Sequence, residues 1–223
     1  MTSDPAVLVM AKAPVPGRVK TRLAASVGDQ VAAELAAAAL LDTLTVVAAS
    51  GLRCVVAWSG PLSWATRAGE IKAALAPYPL IPQRGHHFPQ RLAAAHHDAS
   101  DVFAGTAVVQ VGSDTPQLSV GQLHQAATAL STHDAALGLA HDGGWWALGV
   151  RTAALAVGLA KVPTSHADTG RRTLAMLVES HASVSLLAVL RDVDTLADAQ
   201  AVLRHPHCGG RFAAAAEAAV SHR

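Results

Sequence analysis

Aromatic residues are scarce in this chain, at 4% of 223 residues against 51% hydrophobic. A core of that composition is packed from alanine, valine and leucine through many small contacts rather than a few large rings. Cysteine is nearly missing as well. Cys54 and Cys208 stand far apart and no C-x-x-C pair occurs, which excludes a disulfide framework and gives no support to a thiolate zinc site. Charged residues make up only 15% and almost balance, for a formal net charge of +1. That argues against a disordered chain and against the broad basic field of a nucleic-acid binder, so no nucleic-acid partner is expected. The opening residues MTSDPAV lack a basic stretch followed by an apolar run, so no secretory leader is expected and the cytoplasm is the expected compartment. The apolar stretch 31–49 is interrupted by Glu34 and Asp42 and reads as a packed helix rather than a membrane span. Several catalytic signatures are missing too. Gly17 is followed by Arg-Val-Lys-Thr, so there is no G-x-x-x-x-G-K-[ST]; neither G-x-G-x-x-G nor G-x-S-x-G occurs. A P-loop ATPase, a dinucleotide enzyme and a serine hydrolase all lose support.

What is present is a regular alternation of short apolar runs with longer helical segments. Strands are expected at 7–11, 52–58, 106–112, 135–140, 145–150 and 183–190. Helices are expected at 29–49, 63–74, 89–103, 119–130, 166–180 and 195–203, with a last alanine-rich one at 213–220. The pattern predicts a three-layer α/β fold, a Rossmann-like mixed sheet in a single domain spanning 1–223. Asp142-Gly143-Gly144 separates two strand-like runs too closely for a crossover helix, so part of the sheet is expected to be antiparallel.

In such a sheet, ligands bind beyond the carboxyl ends of the strands. The segment VLVMAKAPVPGRVKTRL is the strongest local signal there. A buried strand runs into a loop stiffened by Pro14, Pro16 and Gly17, which carries Lys12, Arg18, Lys20 and Arg22 into a helical segment. Cationic side chains and a helix start together make an anion site, and phosphate is the expected anion. Past the third strand come Ser113 and Asp114. Past the fourth comes Asp142, followed by Gly143 and Gly144, where backbone can approach a ligand closely. Past the last lie Asp192 and Asp194; period two places both carboxylates on one face with Val193 turned away. Like charges so placed repel unless a cation lies between them, and magnesium or manganese fits carboxylate oxygens. Asp194 has a competing reading as a helix cap before Thr195. Trp145 and Trp146 point to opposite faces, so only one of them is expected to face the site. The pairs His86-His87 and His96-His97 and the string His205-Pro206-His207-Cys208 lack helical spacing with a supporting acid and are not read as metal sites.

The strings AKAPVPGRVKTRL, VGSDTP, DGGWWALG and DVDT, in that order across residues 7–203, resemble a bacterial family of nucleotide-diphospho-sugar-transferase-like proteins. Its members are provisionally assigned as glycosyltransferases linked to arsenosugar biosynthesis, and the family is distantly similar to 2-phospholactate guanylyltransferase and other sugar-nucleotide pyrophosphorylases. The resemblance implies a GT-A type fold. It also implies that the basic loop holds nucleotide phosphates and that Asp114, Asp192 and Asp194 hold Mg2+ or Mn2+. The chain departs from the family in Trp145 and Trp146, where tyrosines are usual, and in the loose form of the segment 83–92. The expected activity is a metal-dependent transfer from a nucleotide-activated donor, foremost a nucleotide sugar, to a small-molecule acceptor. Lys20, Asp114 and Asp142 are the catalytic candidates. Lys12, Pro16, Gly17, Arg18, Lys20, Arg22, Ser113, Gly143 and Gly144 are the phosphate-binding ones. A nucleotidyltransferase using a nucleoside triphosphate is the alternative, and a nucleotide-binding module without turnover a third possibility.

Overall fold

The computed structural model describes residues 4–221. Along the chain run β1 (Ala6–Lys12), α1 (Thr21–Val27), α2 (Asp29–Ser50), β2 (Cys54–Ser59), α3 (Ala68–Leu75), β3 (Leu80–Pro82), α4 (Phe88–Val102) and β4 (Val108–Val111). Then follow α5 (Val120–Ala129), β5 (Ala135–Leu139), β6 (Trp145–Val150), α6 (Thr169–Glu179), β7 (Val184–Leu186), α7 (Leu196–Leu203) and α8 (Gly210–Ser221). Short 3-10 segments lie at Leu62–Trp64 and Ala153–Lys161.

The strands form one sheet in the order β3-β2-β1-β4-β6-β5-β7. β6 runs antiparallel to both β4 and β5, and every other pair is parallel. The short Asp142–Gly144 connection makes the β5–β6 hairpin, as its glycines predict. β1 sits mid-sheet and is apolar on both faces, Ala6 to Ala11 all buried, as a strand covered by helices on each side must be. Val7, Val9 and Ala11 pack with α2, α3 and α5 on one side. Leu8 and Met10 pack with α4, the second 3-10 segment and α6 on the other. A third cluster joins α1, α2, α7 and α8 around Leu23, Val193 and Phe212. α2 is the one described helix long and apolar enough to cross a membrane, but 61% of that stretch is buried within the molecule.

Two expectations are corrected, and three elements were not expected. The helix expected at 63–74 is divided, because Arg67 adopts a left-handed backbone (φ 55°) just before α3; its guanidinium pairs with Glu34 and Glu70. The strand expected at 183–190 pairs over three residues only, and the chain then touches the sheet again through a bridge from Leu190 to Ala140. β3, a three-residue edge strand ending in proline, was not expected; nor was the 3-10 segment Ala153–Lys161. Nor was α1 expected as a helix of its own; Gly28 parts it from α2, which matches the helix expected at 29–49.

Candidate active site

The sheet's order reverses between β1 and β4, and the candidate residues gather beyond the carboxyl ends of those two strands. Residues 13–20 leave β1 as a tight basic loop. Arg18 N–H bonds to the Val15 carbonyl at 3.0 Å across Pro16 and Gly17, whose φ of +73° is the geometry glycine supplies to a type II turn. Lys12 Nζ donates to the Arg18 carbonyl at 2.8 Å and closes the loop from inside. The Arg18 guanidinium lies 5.2 Å over the Trp64 ring, a cation–π contact. Pro16 and Gly17 shape the turn and line neither cavity at this edge of the sheet, whereas Lys12, Arg18, Lys20 and Arg22 all line one or both.

Lys20 is the hub. Its backbone is left-handed (φ 47°) at the start of α1, which swings the side chain inward. Nζ sits 2.8 Å from Asp114 Oδ2 and 2.8 Å from Asp194 Oδ1. Burial alone would lower its pKa, but the two carboxylates outweigh that and hold it above the ordinary lysine range. Arg22 pairs with the other oxygen of Asp194. Asp194 is therefore no helix cap; Thr195 and Asp198 form the capping box of α7. Ser119 and Gln122 do the same for α5 and leave Asp114 free of that task.

Asp192 faces the same cleft with Val193 turned into the core between the two acids. The Thr115 hydroxyl donates to it at 2.6 Å. Burial and the neighbouring Asp114 charge push its carboxyl well above the usual carboxylate range, against the pull of Thr115 and Lys20. Acid repelling acid is an unmet demand for positive charge. All the donors are oxygens, which suits a hard divalent cation. The three carboxylates do not surround one point, because the Lys20 ammonium stands between Asp114 and Asp194. Among the described residues, the group of three ligand-type side chains with atoms within 4.8 Å of one another is His97, Asp98 and Asp101 on α4. Its acids come from the histidine's own helix, a pattern the sequence reading did not consider. Asp98 there is already held by Arg84.

Two cavities meet at this cluster. One, of about 340 Å³, lies along the basic loop and includes Ser113. The other, of about 460 Å³, opens over Met10, Gln110, Phe88, Leu92, Trp145 and the segment Thr164–His166, with Asp142 and Gly144 at its rim. Trp145 is the indole facing the cleft. Trp146 is buried and donates Nε1–H to the Ala188 carbonyl at 2.9 Å. Asp142 accepts the Gly144 N–H at 2.8 Å. Gly143 lines neither cavity; a side chain there would strike the Ala167 carbonyl at 1.9 Å, so it lets the hairpin pack against the loop before α6.

The sequence reading passed over several cleft residues. Gln110 was legible as a polar residue inside an apolar strand, VVQV, and Thr115 as a hydroxyl beside Asp114. Gln83 and Arg91 lie in the segment 83–92, noted in the sequence only as a departure from the family pattern; Gln83 follows β3 and Arg91 sits on α4, while His166 comes from the loop before α6.

A family model for an uncharacterized protein conserved in bacteria, DUF2064, matches residues 22–166. The chain belongs to the DUF2064 family. No curated protein sequence matches it. Among solved structures it is similar to a provisionally assigned nucleotide-diphospho-sugar transferase from Desulfovibrio desulfuricans, at 26% identity and a TM-score of 0.86, over 99% of this chain and 98% of that one. It is also similar to a Mycobacterium tuberculosis protein in complex with manganese, at 19% identity and TM-score 0.55, over 89% and 97%. A third is CMP:2-keto-3-deoxy-manno-octonic acid synthetase in complex with CTP, at 9% identity and TM-score 0.53, over 90% and 97%. The DUF2064 chain thus has the nucleotide-diphospho-sugar transferase fold, shared by sugar-nucleotide and nucleotidyl transferases.

Proposed function

We propose that this DUF2064 protein is a metal-dependent transferase acting on a nucleotide-activated donor, foremost a nucleotide sugar. The observation that carries the reading is Lys20 at 2.8 Å from both Asp114 and Asp194 at the switch point of the sheet, between a basic loop and a deeper half-apolar cavity. Support comes from the Desulfovibrio relative, similar over nearly its whole length. The donor's diphosphate lies along Lys12, Arg18 and Arg22 with Ser113, and Lys20 turns from its carboxylates toward the phosphate as charge builds on the departing nucleoside diphosphate. Asp114 with Asp192 and Asp194 would hold Mg2+ or Mn2+, which would supply neutralisation of the diphosphate charge. Asp142, at the cavity rim beside Trp145, positions the acceptor hydroxyl and takes its proton. Gly144 keeps the backbone there close enough to reach the substrate, with Gly143 setting the turn.

One feature favours a second reading. Four cations between the end of β1 and the start of α1 (Lys12, Arg18, Lys20 and Arg22) suit a triphosphate, more highly charged than a sugar-nucleotide diphosphate, as a nucleotidyltransferase would use. Products separate the two: glycosyl transfer releases a nucleoside diphosphate, nucleotidyl transfer releases pyrophosphate. In either case Asp114→Asn lowers kcat by at least about a hundredfold with the thermal unfolding profile kept. A fully active Asp114→Asn protein ends the assignment.

A further inference from the structure

Asp192 sits on a segment that the sheet hardly supports. β7 pairs over Val184–Leu186, the chain touches the sheet again by a bridge at Leu190, and α7 starts only at Leu196. Between them, residues 191–193 hang on the loop after β4 by three hydrogen bonds in step. Gln117 Nε2 donates to the Arg191 carbonyl at 2.8 Å, the Thr115 hydroxyl to Asp192 Oδ1 at 2.6 Å, and the Val193 N–H to the Asp114 carbonyl at 2.9 Å. The two stretches run past each other in opposite directions, and each carries one acid of the cluster.

Both side chains of this clasp stand behind the cleft rather than in it. Thr115 and Gln117 are 3% and 1% exposed, and neither lines either cavity at the cluster. Gln117 is an expensive choice there. Its Oε1 is buried without a hydrogen-bond partner, and an unpaired buried acceptor destabilises a fold that an apolar side chain of the same shape would suit better. Turning the carboxamide over would set its oxygen against the Arg191 carbonyl oxygen, so the amide is kept for its donor. The Thr115 hydroxyl is as particular: it occupies Oδ1 of Asp192 and leaves Oδ2 for a cation.

We propose that Thr115 and Gln117 are positioning residues that set Asp192 beside Asp114 so that both acids serve one divalent cation. The inference rests on the metal reading given above. Neither side chain touches the ion or the substrate. Gln117 fixes the backbone entering Asp192 and Thr115 fixes its carboxylate, so the acid cannot turn away when the Asp114 charge repels it. Hydrogen-bond partners that orient a metal-binding carboxylate from behind commonly account for about tenfold to a hundredfold in metal affinity.

Titration of the full chain with Mn2+ alone, the free ion read by electron paramagnetic resonance, tests it. Thr115→Val keeps the shape and removes the donor, and is expected to bind Mn2+ about tenfold or more weakly than the parent. Thr115→Ser returns the hydroxyl and restores the affinity. Gln117→Met weakens binding in the same direction, and Asp114→Asn, which removes a ligand, marks the site by losing it. Thermal unfolding separates position from stability. A variant that melts earlier yet binds Mn2+ like the parent well below its Tm makes the clasp merely structural and overturns the proposal, as does Thr115→Ser binding no better than Thr115→Val. Should Thr115→Val lose its fold, Gln117→Met carries the same test. Binding kept in Thr115→Val but lost in Asp114→Asn ends this inference alone; binding unchanged in Asp114→Asn, or absent from the parent, ends the metal reading with it.

Discussion

Lys20 occupies the place between Asp114 and Asp194 that a cation would otherwise claim, and this gives its replacement a distinctive signature. Lys20→Met removes the ammonium from two carboxylates at 2.8 Å, leaving like charges facing each other at a partly buried site. The variant is expected to bind Mn2+ in the absence of nucleotide on the order of tenfold more tightly than the parent, as read by electron paramagnetic resonance of the free ion. It is expected to bind a nucleoside diphosphate more weakly, because the phosphate loses its buried cation. Unchanged Mn2+ affinity would mean that the metal takes other ligands. At this scale the sequence was informative where chemistry and position coincide. Asp114, Asp192 and Asp194 stood out because each comes soon after an apolar run read as a strand, and strand ends are where this architecture collects its ligands; the run before Asp192 pairs only over Val184–Leu186, with a single bridge at Leu190. The Lys20 bridge itself was not readable. It depends on a left-handed backbone at a non-glycine residue, which nothing in the string VKTR announces.

Among the elements, α8 packs on α2 through an apolar seam around Leu35 and Phe212 and is capped by a side chain of α2. Both carboxylate oxygens of Asp42, buried in mid-α2, accept the backbone N–H groups of Arg211 (3.0 Å) and Phe212 (2.8 Å) in the first turn of α8. This is helix capping across the fold, meeting donors that would otherwise be orphaned. Asp42→Ala is expected to cost about 1–3 kcal/mol, seen as a lower urea midpoint, with α8 becoming the first site of limited proteolysis. Loss of stability below a few tenths of a kcal/mol would show that water replaces the cap. An acid inside an alanine-rich helix looked in the sequence only like a break in an apolar run. Element type was legible wherever the run was long: α2, α4, α5, β1 and the β5–β6 hairpin follow directly from periodicity and turn chemistry. The elements that escaped are short and irregular. β3 has three residues and an edge position, α1 has seven, and the segment Ala153–Lys161 winds as 3-10 helix. Pairing with neighbours, rather than intrinsic preference, is what forms such pieces.

At the scale of the whole molecule, one buried histidine adds its own pH dependence to stability. His96 on α4 is fully buried with neither ring nitrogen hydrogen-bonded, and burial lowers its pKa from 6.5 to about 4. The unfolded chain therefore binds a proton that the fold refuses. The contribution of the neutral ring is fully present above pH 6.5 and is lost as pH falls toward 4. Denaturation of the parent and of His96→Leu is expected to diverge across that window, the parent losing up to about 3 kcal/mol relative to the variant. Parallel curves from pH 7 to 4 would show that His96 acquires a partner on protonation.

The central claim concerns the whole cleft: a nucleotide and a divalent cation bind together where the loop after β1 faces Asp114. Thermal unfolding with a nucleoside diphosphate and Mn2+ at about a hundredfold excess over Kd tests it most directly. The account predicts stabilisation of about 2.7 kcal/mol, or about 5–10 °C in Tm, that requires both ligands and vanishes in Asp114→Asn. An equal shift in Asp114→Asn, or one that needs no metal, would contradict it.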